Sequence, residues 1–86
     1  MKLYYIQNKG YVGNCLLWWR EGGHGYTCNL DEAWRVDEAK AREITAVRRG
    51  EDVAWPVEEA EAMAQRHVHG PKPTPPGWKR GRKEAA

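Results

Sequence analysis

The sequence predicts an α+β fold, a three-stranded antiparallel sheet with two helices on one face and an extended C-terminal tail. Three segments, residues 2–7, 14–20 and 26–30, are rich in β-favouring or alternating residues and are separated by glycine-containing turns. Two later segments repeat apolar residues at helical spacing. A chain of 86 residues fits one core. We therefore expect a small α+β domain over residues 1–70 and a tail over 71–86.

The first strand is expected over residues 2–7, because Asn8-Lys9-Gly10 after it has the composition of a turn. The second and third strands, residues 14–20 and 26–30, flank a glycine-rich reversal. Alternation places Cys15, Leu17 and Trp19 on the core face of the second strand. A two-residue turn, with its two central residues at 23 and 24, would pair Trp19 with Cys28. Cys15 and Cys28 are then not opposite each other, so no disulfide is expected.

A short extended segment at residues 34–36 precedes the first helix, which is expected over 37–49 because Asp37 is a good N-cap and Gly50 a good stop. The second helix is expected over 56–69. Pro56 suits its first position, and Gly70 with Pro71 ends the apolar pattern.

The aromatic residues suggest a binding surface. The chain has five tryptophans, four tyrosines and no phenylalanine, so some of these large rings are expected to be half exposed. If both helices cover the Trp19 face, Trp18 and Arg20 lie on an open face, and a tryptophan beside an arginine is typical of interface hot spots. The alternative is that Trp18 is itself covered. The expected partner-binding residues are Trp18, Arg20, His24 and Tyr26.

Other chemistry has weaker support in the sequence. The segment Gly22-Gly23-His24-Gly25 could offer backbone amides to a phosphate, but it lacks the spacing of phosphate-binding loops. Cys15, Cys28, His24, His67 and His69 include no close cysteine pair, so no metal or cofactor is expected. Neither a catalytic triad nor a cysteine–histidine pair can be argued from spacing, and no enzyme is expected.

Charge and hydropathy limit the remaining classes of partner. Residues 1–70 carry nine basic and eleven acidic side chains, whereas residues 71–86 carry five basic and one acidic. A basic tail of this kind would bind nucleic acid only weakly and in a salt-sensitive way. A role of the tail in solubility is the simpler interpretation. Without an apolar run of membrane-spanning length, no membrane partner is expected. Two cysteines and the lack of a targeting segment indicate a reducing cytosol.

A resemblance adds a biological setting. The chain carries Tyr11-x-Gly13-Asn14-x-x-x-Trp18-Trp19-x-x-Gly22-Gly23-x-Gly25-Tyr26-Thr27, then Leu30-Asp31-Glu32-Ala33, and later Asp52-Val53-x-Trp55-Pro56. Over residues 3–69 it resembles short uncharacterised proteins of tailed-bacteriophage and prophage genomes. The resemblance implies a bacterial cytoplasm and an accessory role, in which such proteins disable host enzymes or immune systems by stoichiometric binding.

The sequence therefore favours a phage-type protein that inhibits a host defence factor by protein binding through its aromatic sheet face. Two alternatives stay open: a nucleotide-sequestering protein that uses the glycine-rich turn, Arg20 and a tryptophan, and a nucleic-acid accessory protein that uses the tail. The oligomeric state is not predicted.

Overall fold

Five antiparallel strands and two helices make up the structure, a computed structural model that describes residues 1–48 and 50–67. The expected tail, residues 71–86, lies outside them, as does His69. The elements are β1 Leu3–Val12, β2 Cys15–Trp19, β3 Tyr26–Thr27, β4 Val36–Asp37, α1 Glu38–Val47, β5 Asp52–Pro56 and α2 Val57–Ala62. The α+β class, the antiparallel sheet and the two helices are confirmed, and the count of three strands is wrong.

Strand β1 is longer than expected because Asn8-Lys9-Gly10 forms a bulge rather than a turn. The pairing of β1 with β2 shifts between Asn8 and Tyr11, and the Gly10 N–H donates to Oδ1 of Asn8 at 2.9 Å. The chain reverses instead at the next two-residue turn, where Gly13 has a φ of 58°. The turn-forming side chain of Asn8 thus stabilises an irregularity inside a strand.

Three strands pair with β1 along its two edges. Strand β5 pairs with residues 4–8 of β1, β2 with residues 7–12, and β4 with Leu3 and Tyr4. Strand β5 pairs with some of the same β1 residues as β4 and as β2, so it must lie along a different edge of β1 from each of them. Strands β2 and β4 therefore lie along the same edge, opposite β5. Sequence reasoning missed β5, which is only five residues long and ends at Pro56, where a missing N–H is tolerated.

The register between β2 and β3 differs from the expected one. Trp19 pairs with Tyr26, and Trp18 with Thr27, whereas Trp19 was expected to oppose Cys28. The loop between these strands is residues 20–25 rather than a two-residue turn, and the Arg20 N–H donates to the carbonyl of Gly25 at 2.8 Å across its base. Relative to the expected register, the partner of Trp19 is displaced by two residues. Because side chains alternate with a period of two, Trp19 and Tyr26 still lie on the same face of the sheet.

The helices begin close to where the sequence placed them. Asp37 caps α1 by accepting the Lys40 N–H at 2.8 Å, and α1 ends at Val47. Helix α2 ends at Ala62, much earlier than residue 69. Residues 63–67 are all exposed, so no packing stabilises a further turn of a helix this short.

The two helices cover opposite faces of the sheet. Tyr5 and Ile6 are neighbours on β1 and point to opposite sides, yet both are fully buried. Ile6 packs in a cluster with Ala41 and Ile44 of α1, whereas Tyr5 packs in a cluster with Ala60 of α2. The expectation that both helices lie on one face is therefore wrong.

Candidate functional site

Trp18 belongs to the core. Its side chain is 5% exposed, and its ring meets that of Tyr5 in an edge-on contact with centroids 5.8 Å apart. Ala33 and Ala60 complete the cluster, with Leu30 packed against it. The predicted open aromatic face is wrong at this position, because α2 packs on the side of the sheet that was expected to be bare.

The other three predicted binding residues are exposed, but they do not form one surface with Trp18. Arg20 is in an ion pair with Glu32, whose Oε1 lies 3.0 Å from the guanidinium and also accepts the Thr27 hydroxyl at 2.8 Å. His24 is exposed in the loop that precedes β3. Tyr26 is 42% exposed and lies on the Trp19 face.

Tyr26 also takes part in a network around the buried carboxylate of Asp52. This carboxylate accepts the Trp19 Nε1–H at 3.0 Å, the Asn8 amide at 3.2 Å and the Arg48 Nε–H at 3.2 Å. Arg48 in turn donates to the Tyr26 hydroxyl at 3.0 Å. The hydrogen bond with Tyr26 and the charge of Asp52 raise the pKa of Arg48. These contacts hold β1, β2 and β5 to the end of α1, which is a structural role.

Two groups that the nucleotide alternative would use, the Gly23 N–H and the Arg20 guanidinium, already have partners within the protein. The Gly23 N–H donates to the Arg20 carbonyl at 2.8 Å, and the guanidinium of Arg20 is already paired with Glu32. The ring of Trp34 packs on Gly23, so closely that a Cβ there would lie 3.3 Å from Cζ3. A nucleotide phosphate would have to compete with Glu32 for Arg20 and with the Arg20 carbonyl for the Gly23 N–H.

Helix α2 is fixed to the sheet at its C-terminal end. The Tyr5 hydroxyl donates to Oε2 of Glu61 at 2.5 Å and accepts the Arg35 Nε–H at 3.3 Å. Burial, followed by the hydrogen bond to Glu61, raises the pKa of Tyr5. Because α2 has six residues and is about 9 Å long, it covers only part of a ten-residue strand about 33 Å long.

The uncovered part of this face contains a groove of about 850 Å³. Its walls come from β2, from the segment after β3, and from α2 with the residues that follow it. The residues that line it include Asn14, Cys15, Leu16, Trp18, Cys28, Leu30, Asp31, Ala60, Glu61, Met63, Arg66 and His67.

Exposed apolar side chains lie in and beside the groove, two of them on the β1–β2 hairpin. Tyr11 is 72% exposed and pairs across the hairpin with Leu16, which is 40% exposed. Leu16 and the exposed Met63 line the groove. We call the groove, its lining residues Leu16 and Met63, and the neighbouring Tyr11 the hairpin face. Sequence reasoning missed it, although the tight turn at Gly13 could have indicated that its neighbours near the hairpin end are exposed.

Two cysteines and a histidine meet in the groove. The Sγ atoms of Cys15 and Cys28 and a ring nitrogen of His67 all lie within 4.8 Å of one another. Both cysteines are free thiols. The expectation that the two cysteines stay apart is wrong. Strand β3 ends at Thr27, so the position of Cys28 is not set by strand pairing.

Neither a protein-family model nor a curated protein nor a solved structure matches this chain significantly. Among residues 1–48 and 50–67, neither helix has the length and apolar character needed to cross a bilayer. The function of the site must therefore be inferred from its own geometry.

Proposed function

We propose that this chain is a non-enzymatic binding protein that attaches to a protein partner through the hairpin face. The observation that carries the proposal is that the exposed side chains of Leu16 and Met63 line the groove and that the exposed Tyr11 is the cross-strand partner of Leu16. Apolar side chains exposed singly are normal, but a contiguous apolar patch beside a concave surface is typical of an interaction site. Tyrosine at such a patch is a common source of binding energy.

The groove favours a partner that inserts an apolar side chain between polar neighbours. Leu16 and Met63 supply apolar wall, and methionine adapts its shape to irregular ligands. The groove is lined by charges of both signs, the acidic Asp31 and Glu61 and the basic Arg66. An apolar centre with a charged and polar rim is the usual composition of a protein interface.

The resemblance to phage proteins suggests how such a surface would be used. A phage accessory protein of this size would inhibit a host defence factor by occupying its surface in a stoichiometric complex. This role is part of the proposal, and its support is the resemblance over residues 3–69.

Co-purification from a bacterial host tests the binding surface. The full chain carries a tag, and retained proteins are quantified by mass spectrometry for the wild type and for Tyr11→Ser combined with Leu16→Ser. We expect the double variant to lose a partner that the wild type retains. Val47→Ser is the matched control, because Val47 is 78% exposed but lies on α1, which covers the other face.

Arg20→Glu separates this proposal from the surface predicted by the sequence. If Arg20→Glu abolishes retention while the hairpin variant retains the partner, the binding site is the loop with Arg20, His24 and Tyr26. Equal loss in Val47→Ser would mean that retention reflects non-specific adhesion. Far-ultraviolet circular dichroism confirms that each variant is folded.

A further inference from the structure

We propose that Cys15, Cys28 and His67 bind a zinc ion. The three ligating atoms already lie within 4.8 Å of one another. Around a tetrahedral zinc ion with Zn–S bonds of about 2.3 Å, two sulfurs are about 3.8 Å apart. Side-chain rotations that close the cluster by about 1 Å would therefore suffice to complete three bonds. No rearrangement of the sheet is needed.

The chemistry of the three groups selects the ion. Two thiolates and one imidazole are soft or intermediate ligands, which prefer zinc to magnesium or calcium. Both cysteines are half buried and His67 is exposed, so an ion can enter from solvent. Three protein ligands leave a fourth position for water or another donor, as in zinc sites with an open coordination position.

A bound ion would connect three separate parts of the fold. Cys15 begins β2, Cys28 follows the end of β3, and His67 lies five residues beyond the end of α2. Residues 63–67 are exposed and form one wall of the groove. A bound ion would attach this segment to the sheet and fix the width of the groove. The site stands on its own geometry and does not depend on the proposed protein partner.

The two thiols could instead form a disulfide in the presence of an oxidant such as hydrogen peroxide. Their sulfurs would then have to approach to about 2.05 Å, and the bond would join the two sulfurs without His67 as a ligand. A metal site requires the imidazole as its third ligand, whereas a disulfide is complete without it. The two assignments therefore differ in whether loss of the His67 imidazole lowers the affinity for a metal ion.

Cobalt titration of the full chain tests the zinc site. The protein is kept reduced with a phosphine, Co²⁺ is added, and Zn²⁺ is then used to displace it. We expect one Co²⁺ per chain, with thiolate-to-cobalt charge-transfer absorption and the visible bands of a tetrahedral ion. Loss of a second-shell group commonly lowers metal affinity about 10–100-fold, so loss of a direct ligand in Cys15→Ser or Cys28→Ser should cost at least about 100-fold.

Histidine variants provide the matched comparison. His67→Ala also removes a direct ligand and should weaken Co²⁺ binding at least about 100-fold, whereas His24→Ala, in the exposed loop, should leave it unchanged. Because His67 is exposed, its replacement should leave the domain folded, so the comparison of His67→Ala with wild type decides the test even if a cysteine variant fails to fold. Absence of charge-transfer absorption, or equal affinity in His67→Ala and wild type, would overturn the proposal. A metal-free chain isolated from cytoplasm with a Cys15–Cys28 disulfide would overturn it as well.

Discussion

Replacement of Trp18 by alanine should destabilise the domain severely. An indole buries roughly 150–250 Å², which at about 25 cal/mol per Å² is worth about 4–6 kcal/mol as an upper bound. Measured losses for comparable truncations are about 3–5 kcal/mol. Since Trp18 is 5% exposed and packs on Tyr5, we expect a loss of about 4 kcal/mol, most of the stability of a domain this small.

Urea unfolding followed by far-ultraviolet circular dichroism measures this loss. With a slope of about 1.5 kcal/mol per M, the midpoint of Trp18→Ala should fall by about 2–3 M. Tyr26→Ala is the comparison, because Tyr26 is 42% exposed and should cost only about 1–2 kcal/mol. Trp18→Phe keeps a ring and should lie between wild type and Trp18→Ala. If Trp18→Ala and Tyr26→Ala unfold at the same urea concentration, Trp18 is not a core residue.

Three further predictions follow from the described contacts. Gly23→Ala should lower the melting temperature more than Gly25→Ala: both glycines have positive φ, but only at Gly23 would the new Cβ crowd a ring, that of Trp34. Stability should fall as the pH rises above about 10, the ordinary tyrosine pKa, because the raised pKa of Tyr5 keeps it neutral in the folded state while the unfolded chain ionises first. Tyr5→Phe should remove that part of the pH dependence in urea titrations and lower stability at neutral pH through loss of the bond to Glu61; an unchanged alkaline slope would contradict this. Nucleotides should leave the tryptophan fluorescence unchanged, because Arg20 is paired with Glu32 and the ring of Trp34 packs on Gly23; saturable quenching would instead support nucleotide binding.

Local signals in the sequence predicted much of the fold. The alternation within β2 correctly separated Trp18 and Trp19 onto opposite faces, although Cys15, expected on the Trp19 face, lines the groove beside Trp18. Asp37 identified the start of α1. These features succeed because a cap and a strand period act over a few residues. The bulge at Asn8 was mistaken for a turn because the same side-chain hydrogen bond serves both structures.

Features that depend on distant contacts could not be predicted. Which face a helix covers is decided by tertiary packing, and the error over α2 turned the core residue Trp18 into an expected contact residue. The meeting of Cys15, Cys28 and His67 depends on where β3 ends and on the path of the chain after α2. Neither is encoded in the spacing of the three residues.

Site-specific photocrosslinking in a bacterial host tests the binding surface most directly. A photoreactive amino acid is placed at position 11, 16 or 47 of the full chain, and crosslinked proteins are identified after irradiation. A hairpin face that binds a partner predicts one discrete protein adduct from Tyr11 and Leu16 and none from Val47. Absence of an adduct at both hairpin positions, or the same adduct from all three, would contradict the proposed binding surface.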